Sequence, residues 1–238
     1  MPLLLNKKID EYSAYAVWNI QESFVELPYL SPEPFPANLN PVRQAEWIIG
    51  RVLIKSLCSL FDIEYVGIEK HDKGKPYLKN SYANISISHS FPIATAMIDL
   101  KHSCGIDMEQ PREKLKTVQH KFLHESEVAY KDNLEKLCAI WCAKEVIYKI
   151  YGRRFLSLKD EIKVSFESDN LMVGKILKEG YEDDYNIHYE WVKDYVLAYG
   201  IWPKINSGLT TACDFLQHVV PHAPNTRNAV DGTINNGS

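Results

Sequence analysis

Apolar and polar positions alternate most regularly between Ile85 and Glu109. In Ile85-Ser86-Ile87-Ser88-His89 the isoleucines alternate with small hydroxyls, the period-2 pattern of a half-buried strand. Pro92 interrupts the pattern and Ile93 to Ile98 resumes it, which predicts a hairpin. Gly105-Ile106-Asp107-Met108-Glu109 alternates again and stops at Pro111. Side chains two apart on a strand share a face about 7 Å from each other. Asp107 and Glu109 are therefore expected to project together, with Ile106 and Met108 pointing into the core.

Before this stretch, Ala14 to Ile20 predicts a first strand, and the prolines from Pro28 to Pro41 predict a long loop. A helix is predicted from Pro41 to Leu60: Val42, Ala45, Ile49, Val52, Leu53, Leu57 and Leu60 keep helical spacing, and proline suits a first turn. His71 to Leu78 reads as a turn around Gly74 and Pro76. After Glu109, Lys116 to Leu123 reads as helical, and Ser126 is a candidate cap for a short helix from Glu127 to Tyr130. A second strong helix is predicted from Leu134 to Tyr151, stopped by Gly152. Four strand-like runs follow: Ile162–Phe166, Leu171–Leu177, Tyr185–Trp191 and Tyr195–Trp202.

This order, strands then helix then strands, predicts an α/β (α+β) fold of two similar halves. Residues 1–110 are assigned to the N-terminal half, 111–205 to the C-terminal half, and 206–238 to a polar, poorly ordered tail. At 238 residues and 45% hydrophobic, the chain has enough apolar material for one sizeable core or two small ones. A net charge of −4 argues against a nucleic-acid binder that works by phosphate neutralisation. The cysteines are five, without a CxxC pair, which suits free thiols in a reducing compartment. Leu3-Leu4-Leu5 is too short for a signal peptide, and no run approaches the roughly 20 apolar residues of a membrane span. A cytoplasmic protein is expected.

Some polar positions suggest chemistry. Two carboxylates on one strand face repel unless a cation lies between them, and oxygen-only ligands suit Mg²⁺ or Mn²⁺. The alternative for Asp107 and Glu109 is a solvated acidic strand end. Arg43 and Arg51 lie off the apolar stripe of their helix, as plain surface charge or as an anion-binding pair. Lys73 and Lys75 flank a glycine that lets backbone approach a ligand. Trp141, Glu145 and Lys149 share one strip of an otherwise apolar helix, which leaves that strip few places to go except a cleft.

Gly74-Lys75-Pro76, Ile87-Ser88-His89-Ser90, Gly105-Ile106-Asp107-Met108-Glu109 and Trp141-Cys142-Ala143-Lys144-Glu145-Val146-Ile147-Tyr148-Lys149, in this order and spacing, resemble the 4′-phosphopantetheinyl transferases. The similarity is to the long single-chain, surfactin-synthetase-activating or siderophore type. Arg43-Gln44-Ala45-Glu46-Trp47-Ile48-Ile49-Gly50-Arg51 also looks like the RxxEFxxGR segment of siderophore-linked members. Glu46, however, stands where surfactin-type members carry a basic residue.

The resemblance implies a fold of two pseudo-twofold-related halves, each a small, mostly antiparallel sheet packed with helices. It implies Mg²⁺-dependent transfer of the phosphopantetheine arm of coenzyme A to a serine of an apo acyl or peptidyl carrier protein. Adenosine 3′,5′-bisphosphate would leave. By the same resemblance Asp107, Glu109 and Glu145 would hold the metal, with Glu145 alternatively taking the serine proton, and Glu127 ranks below Glu145 as a ligand. Lys149 would meet the pyrophosphate and His89 a coenzyme A phosphate. Lys75 and Pro76 would border the adenine, Arg43 or less certainly Arg51 would meet the 3′-phosphate, and Ser88 would join the coenzyme A contacts. The expected partners are the carrier protein and coenzyme A, with no nucleic acid and no membrane, and the protein is expected to be a monomer. A non-catalytic module binding a carrier protein or nucleotide is the alternative, and a metal-dependent phosphohydrolase a weaker third.

Overall fold

The computed structural model describes residues 2–71, 74–152, 155–178 and 184–203, all within one compact unit spanning residues 1–205. In chain order the elements are β1 (Leu3–Lys8), β2 (Ser13–Asn19), α1 (Leu27–Leu30), α2 (Pro41–Ser59), β3 (Ile68–Lys70) and β4 (Pro76–Leu78). They continue with β5 (Asn84–Ser90), β6 (Ile93–Asp99), β7 (Ser103–Glu109), α3 (Lys114–Val118) and α4 (Leu134–Tyr151). The last four are β8 (Ile162–Ser168), β9 (Leu171–Ile176), β10 (Asp184–Val192) and β11 (Tyr195–Trp202). The expected tail from Asn206, with its Phe215–Val220 run, and Lys73 of the glycine turn lie outside the described residues.

The strands form two antiparallel sheets, one ordered β1-β2-β6-β5-β4-β3 and the other β7-β11-β10-β9-β8. The α+β architecture is the one the element order predicts, and two antiparallel sheets packed with helices are what the family resemblance implies. α2 lays Ala45, Ile48, Ile49, Leu53 and Leu57 on the first sheet, burying them with Ile85, Ala94 and Ala96. α4 does the same on the second, where Cys142, Val146 and Ile147 meet Ile187, Val196 and Ala198. Each such aliphatic side chain contributes about 1.5–3 kcal/mol by leaving water. A third cluster joins the sheets: Tyr15, Val17, Ile93 and Met97 against Ile106, Met108, Tyr195 and Leu197.

β7 is an edge strand of the second sheet, although the division at residue 110 groups it with the first. An open edge leaves backbone donors unpaired. Here the serine face of β5 covers it: Ser86 Oγ accepts from Ile106 N–H at 3.0 Å. Ser88 and Ser90 Oγ donate to the Asp107 and Glu109 carboxylates, each at 2.6 Å. The alternation in Ile85–His89 thus divides the strand's work. Its serines hold β7, while Ile85, Ile87 and His89 face α2.

Gly105 lets α4 lie directly on β7, since a Cβ there would sit 2.6 Å from the Val146 carbonyl oxygen. That neighbour is backbone and cannot swing aside. Gly105→Ala should therefore force helix and strand apart and cost about 1–3 kcal/mol, readable as a lower melting temperature.

Several local expectations are corrected. β1 forms from Leu3-Leu4-Leu5, which does not alternate. α1 opens inside the proline-rich segment because Pro28 occupies a first-turn position, where its missing N–H costs nothing. β3 and β4 flank the glycine turn, with Gly74 at φ +87. The stretch expected as one helix to Leu123 is α3 followed by a 3₁₀ turn over Gln119–Lys121. The 3₁₀ helix Glu125–Tyr130 is capped by His124 rather than Ser126. His124 Nδ1 accepts from Ser126 N–H at 3.2 Å, and Glu127 Oε2 accepts from His124 N–H at 2.9 Å.

Candidate active site

α2 begins where the Asn40 side chain accepts from Arg43 N–H at 2.9 Å, which fixes the helical phase of the side chains that follow. One turn apart, Arg43, Trp47 and Arg51 line a cavity of about 420 Å³ between α2, β4, β5 and α4. Glu46 is buried on the same side. Its carboxylate takes Arg43 Nη1 at 3.0 Å and faces His89 Nδ1 at 3.2 Å. Arg51 stacks its guanidinium on the Trp47 ring at 3.4 Å and pairs with Glu33 at 2.6 Å. Tyr65 O–H also donates to Glu33, at 2.9 Å. Both arginines are thus paired with a carboxylate, Arg51 in a buried position and Arg43 in an exposed one.

The opposite wall comes from α4 and the glycine turn. Lys75 Nζ donates to Ser103 Oγ at 3.0 Å, and that hydroxyl donates to the Ile150 carbonyl at 3.1 Å. This places the Lys75 ammonium near the C-terminal end of α4, where a positive charge is favoured. Burial pulls the Lys75 amine below its usual range. Lys149 Nζ donates to the Ile106 carbonyl at 2.7 Å and to Asp107 Oδ1 at 2.8 Å. Lys149 thereby joins the cavity, which it lines, to the acidic strand. Glu145 lies one turn earlier on α4. Burial, and then the charge of Asp107, push its carboxyl up to about 7, with Lys149 opposing.

The cavity thus gathers Arg43, Arg51, Lys75, Pro76, His89 and Lys149 of the residues singled out in the sequence. Asp107, Glu109, Glu145 and Ser88 are not part of its lining. Asp107 reaches it through Lys149, and Ser88 is engaged with Asp107 rather than with the open space. Sequence reasoning missed Trp47, whose i, i+4 spacing to both arginines is the signal that could have found it.

Residues 103–200 match the family model of the 4′-phosphopantetheinyl transferase superfamily. This stretch is a 4′-phosphopantetheinyl transferase superfamily domain. No curated protein is a significant sequence match to the chain. The family transfers phosphopantetheine from coenzyme A to carrier proteins and typically uses a divalent metal. Asp107, Glu109, Glu145 and Lys149 lie inside the matched domain, whereas the β4, β5 and α2 walls of the cavity precede it. No helix among the described residues is long and apolar enough to cross a membrane.

Within the transferase domain, Glu127 is excluded from the site. It is fully buried against Lys144 at 2.8 Å, and it also accepts from Val164 N–H at 2.7 Å. Lys144 Nζ in turn donates to the carbonyls of Phe122, Leu158 and Ile162 at 2.7–2.9 Å. Of the two lysines in the Trp141–Lys149 segment, Lys144 is thus a structural group, next in sequence to Glu145.

No three acidic, histidine or cysteine side chains among the described residues are gathered as a ready-made metal centre. The donor chemistry nevertheless fits a hard divalent cation. Asp107 and Glu145 offer oxygens only, and the Asp107 charge adds to burial in holding Glu145 near 7. That shift has a consequence for stability. The usual pKa of this carboxyl is 4.5 and its folded value is about 7, so the folded state keeps a proton that the unfolded state has lost. The contribution is most favourable below 4.5 and is lost as pH rises towards 7. Melting temperature of the chelator-treated protein should carry a component that falls across this window, and Glu145→Gln should remove it.

Proposed function

We propose that this protein is a Mg²⁺-dependent 4′-phosphopantetheinyl transferase of the surfactin-synthetase-activating or siderophore type, acting on an apo acyl or peptidyl carrier protein. The observation that carries the reading is Lys149. It lines a cation-rich cavity and grips Asp107, one helical turn from a carboxyl poised near neutrality. Arg43, Lys75 and Lys149 supply the positive charge that a pyrophosphate and a 3′-phosphate require, and His89 adds a ring nitrogen. Pro76 and the Trp47–Arg51 stack offer flat, partly apolar surface to the adenine.

Asp107, Glu109 and Glu145 would hold the divalent ion, which when bound neutralises charge on the pyrophosphate. The chain's own groups do the rest. Lys149 orients the pyrophosphate, and Glu145 accepts the proton of the carrier serine, directly or through a water. The serine oxygen bonds to the β-phosphorus as the bond from that phosphorus to the bridging oxygen breaks. Adenosine 3′,5′-bisphosphate then departs with the electron pair. All the named side chains come from one chain, so a monomer suffices, and buried free thiols at Cys58, Cys104, Cys138 and Cys142 suit the cytoplasm.

Chromatography of a reaction with coenzyme A, Mg²⁺ and apo acyl or peptidyl carriers tests the reading. Adenosine 3′,5′-bisphosphate should appear only when a carrier is present. Release without any carrier would indicate a phosphohydrolase, and binding with no product across the carrier panel a non-catalytic module.

A further inference from the structure

A carboxylate is out of place in a cavity meant for phosphates, yet Glu46 lines this one with its side chain only 7% exposed. An ordinary i, i+3 helix pair with Arg43 would need one of its oxygens and would sit in solvent. Glu46 uses both, one on Arg43 of its own helix and the other on His89 of β5. Both partners line the cavity.

Resting on the coenzyme A reading above, we propose that Glu46 is a positioning residue: it holds His89 by Nδ1, leaves Nε2 to donate to a coenzyme A phosphate, and braces Arg43 across the cavity mouth. Three charged groups face His89, Glu46 and Arg43 from α2 and Lys149 from α4. Burial, Arg43 and Lys149 all discourage a protonated ring, and Glu46 alone among the three charges favours it. Burial most of all, with the two cations, holds the free ring below its usual range, and Glu46 pulls against them. An anionic phosphate at Nε2 would add to that pull and complete a cationic two-donor ring. Arg43 has the opposite problem. Its side chain is 60% exposed, and a buried carboxylate gives a long, mobile group one direction.

The test is a cycle of Glu46→Gln, His89→Gln and the double variant, with Glu46→Asp as the charge-preserving control. Coenzyme A Kd is measured by calorimetry, kcat and KM by turnover, and the His89 ring by NMR titration without ligand. Glu46→Gln should raise Kd and KM about 10-fold to 100-fold with kcat little changed, the size expected for losing a charged hydrogen bond. His89 should lose its proton at lower pH than in the wild type, and binding should weaken from that lower pH. With His89 already replaced, Glu46→Gln should add little beyond its effect on Arg43. Glu46→Asp should keep the wild-type titration of His89 more closely than Glu46→Gln does, whichever variant folds less well. An unchanged Kd, or an unchanged His89 titration in Glu46→Gln, overturns the inference while leaving the transferase reading intact. A wild-type protein that binds no coenzyme A overturns that reading, and this role with it.

Discussion

Glu145→Gln is expected to lower turnover by about 10²–10⁴-fold, the range that a positioned acid–base group supplies. The substitution keeps the shape of the side chain and removes its charge. Coenzyme A affinity should change little, because Arg43, Lys75, His89 and Lys149 make the cavity and Glu145 does not line it. The wild-type kcat/KM should rise with pH around a midpoint near 7 in the free enzyme, because burial and Asp107 hold the Glu145 carboxyl there. That limb should vanish in Glu145→Gln. Asp107→Asn should act differently on the same group. It removes the charge that raises Glu145, so the limb should move to lower pH, while turnover falls by orders of magnitude because Lys149 loses its carboxylate. Added Mg²⁺ should recover part of the Asp107→Asn loss and none of the Glu145→Gln loss. Since the two acids act as one unit, the double variant should be little worse than the worse single. Effects that multiply, with no Mg²⁺ response in either single, would mean that no shared cation site exists.

The second large effect is on stability. Lys144→Met should destabilise the protein by about 3–5 kcal/mol, the cost of breaking a buried ion pair by removing one partner. For a unit of this size that corresponds to a fall of about 6–20 °C in melting temperature. The substitution strands Glu127 and the carbonyls of Phe122, Leu158 and Ile162 without their shared donor. Glu127→Leu alone should cost a similar amount by stranding the ammonium. The pair Glu127→Leu with Lys144→Met should be clearly less destabilising than the sum of the two singles. Additive losses in thermal melts would show that the two side chains do not depend on one another.

β2, β5 to β11 and both long helices were legible because a single signal specified each. Period-2 alternation gave β5 to β7, and capped helical stripes gave α2 and α4. β1 was not legible because Leu3-Leu4-Leu5 carries no period and gains its place only by pairing with β2. The acidic pair on β7 could be read from spacing, whereas its meeting with the polar strip of α4 came only from the family resemblance. What spacing cannot carry is who else claims a charge. Arg51 resembles Arg43 in sequence, but it is buried between Trp47 and Glu33 of the proline-rich segment, whereas Arg43 stays largely exposed. Glu127 resembles Glu145, but Lys144 takes it into the core. Ser88 was expected among the coenzyme A contacts from the resemblance of its Ile87–Ser90 segment. On a strand neighbouring side chains point to opposite faces, so the serine turns to Asp107 and the histidine to Glu46.

Intact-mass spectrometry of the carrier protein tests the central claim most directly. An apo acyl or peptidyl carrier incubated with this protein, coenzyme A and Mg²⁺ should gain the mass of one phosphopantetheine. The gain should be absent when the carrier's acceptor serine is alanine, and slowed by orders of magnitude with Glu145→Gln. An unmodified carrier in every case, from a folded protein that binds coenzyme A, would contradict the account.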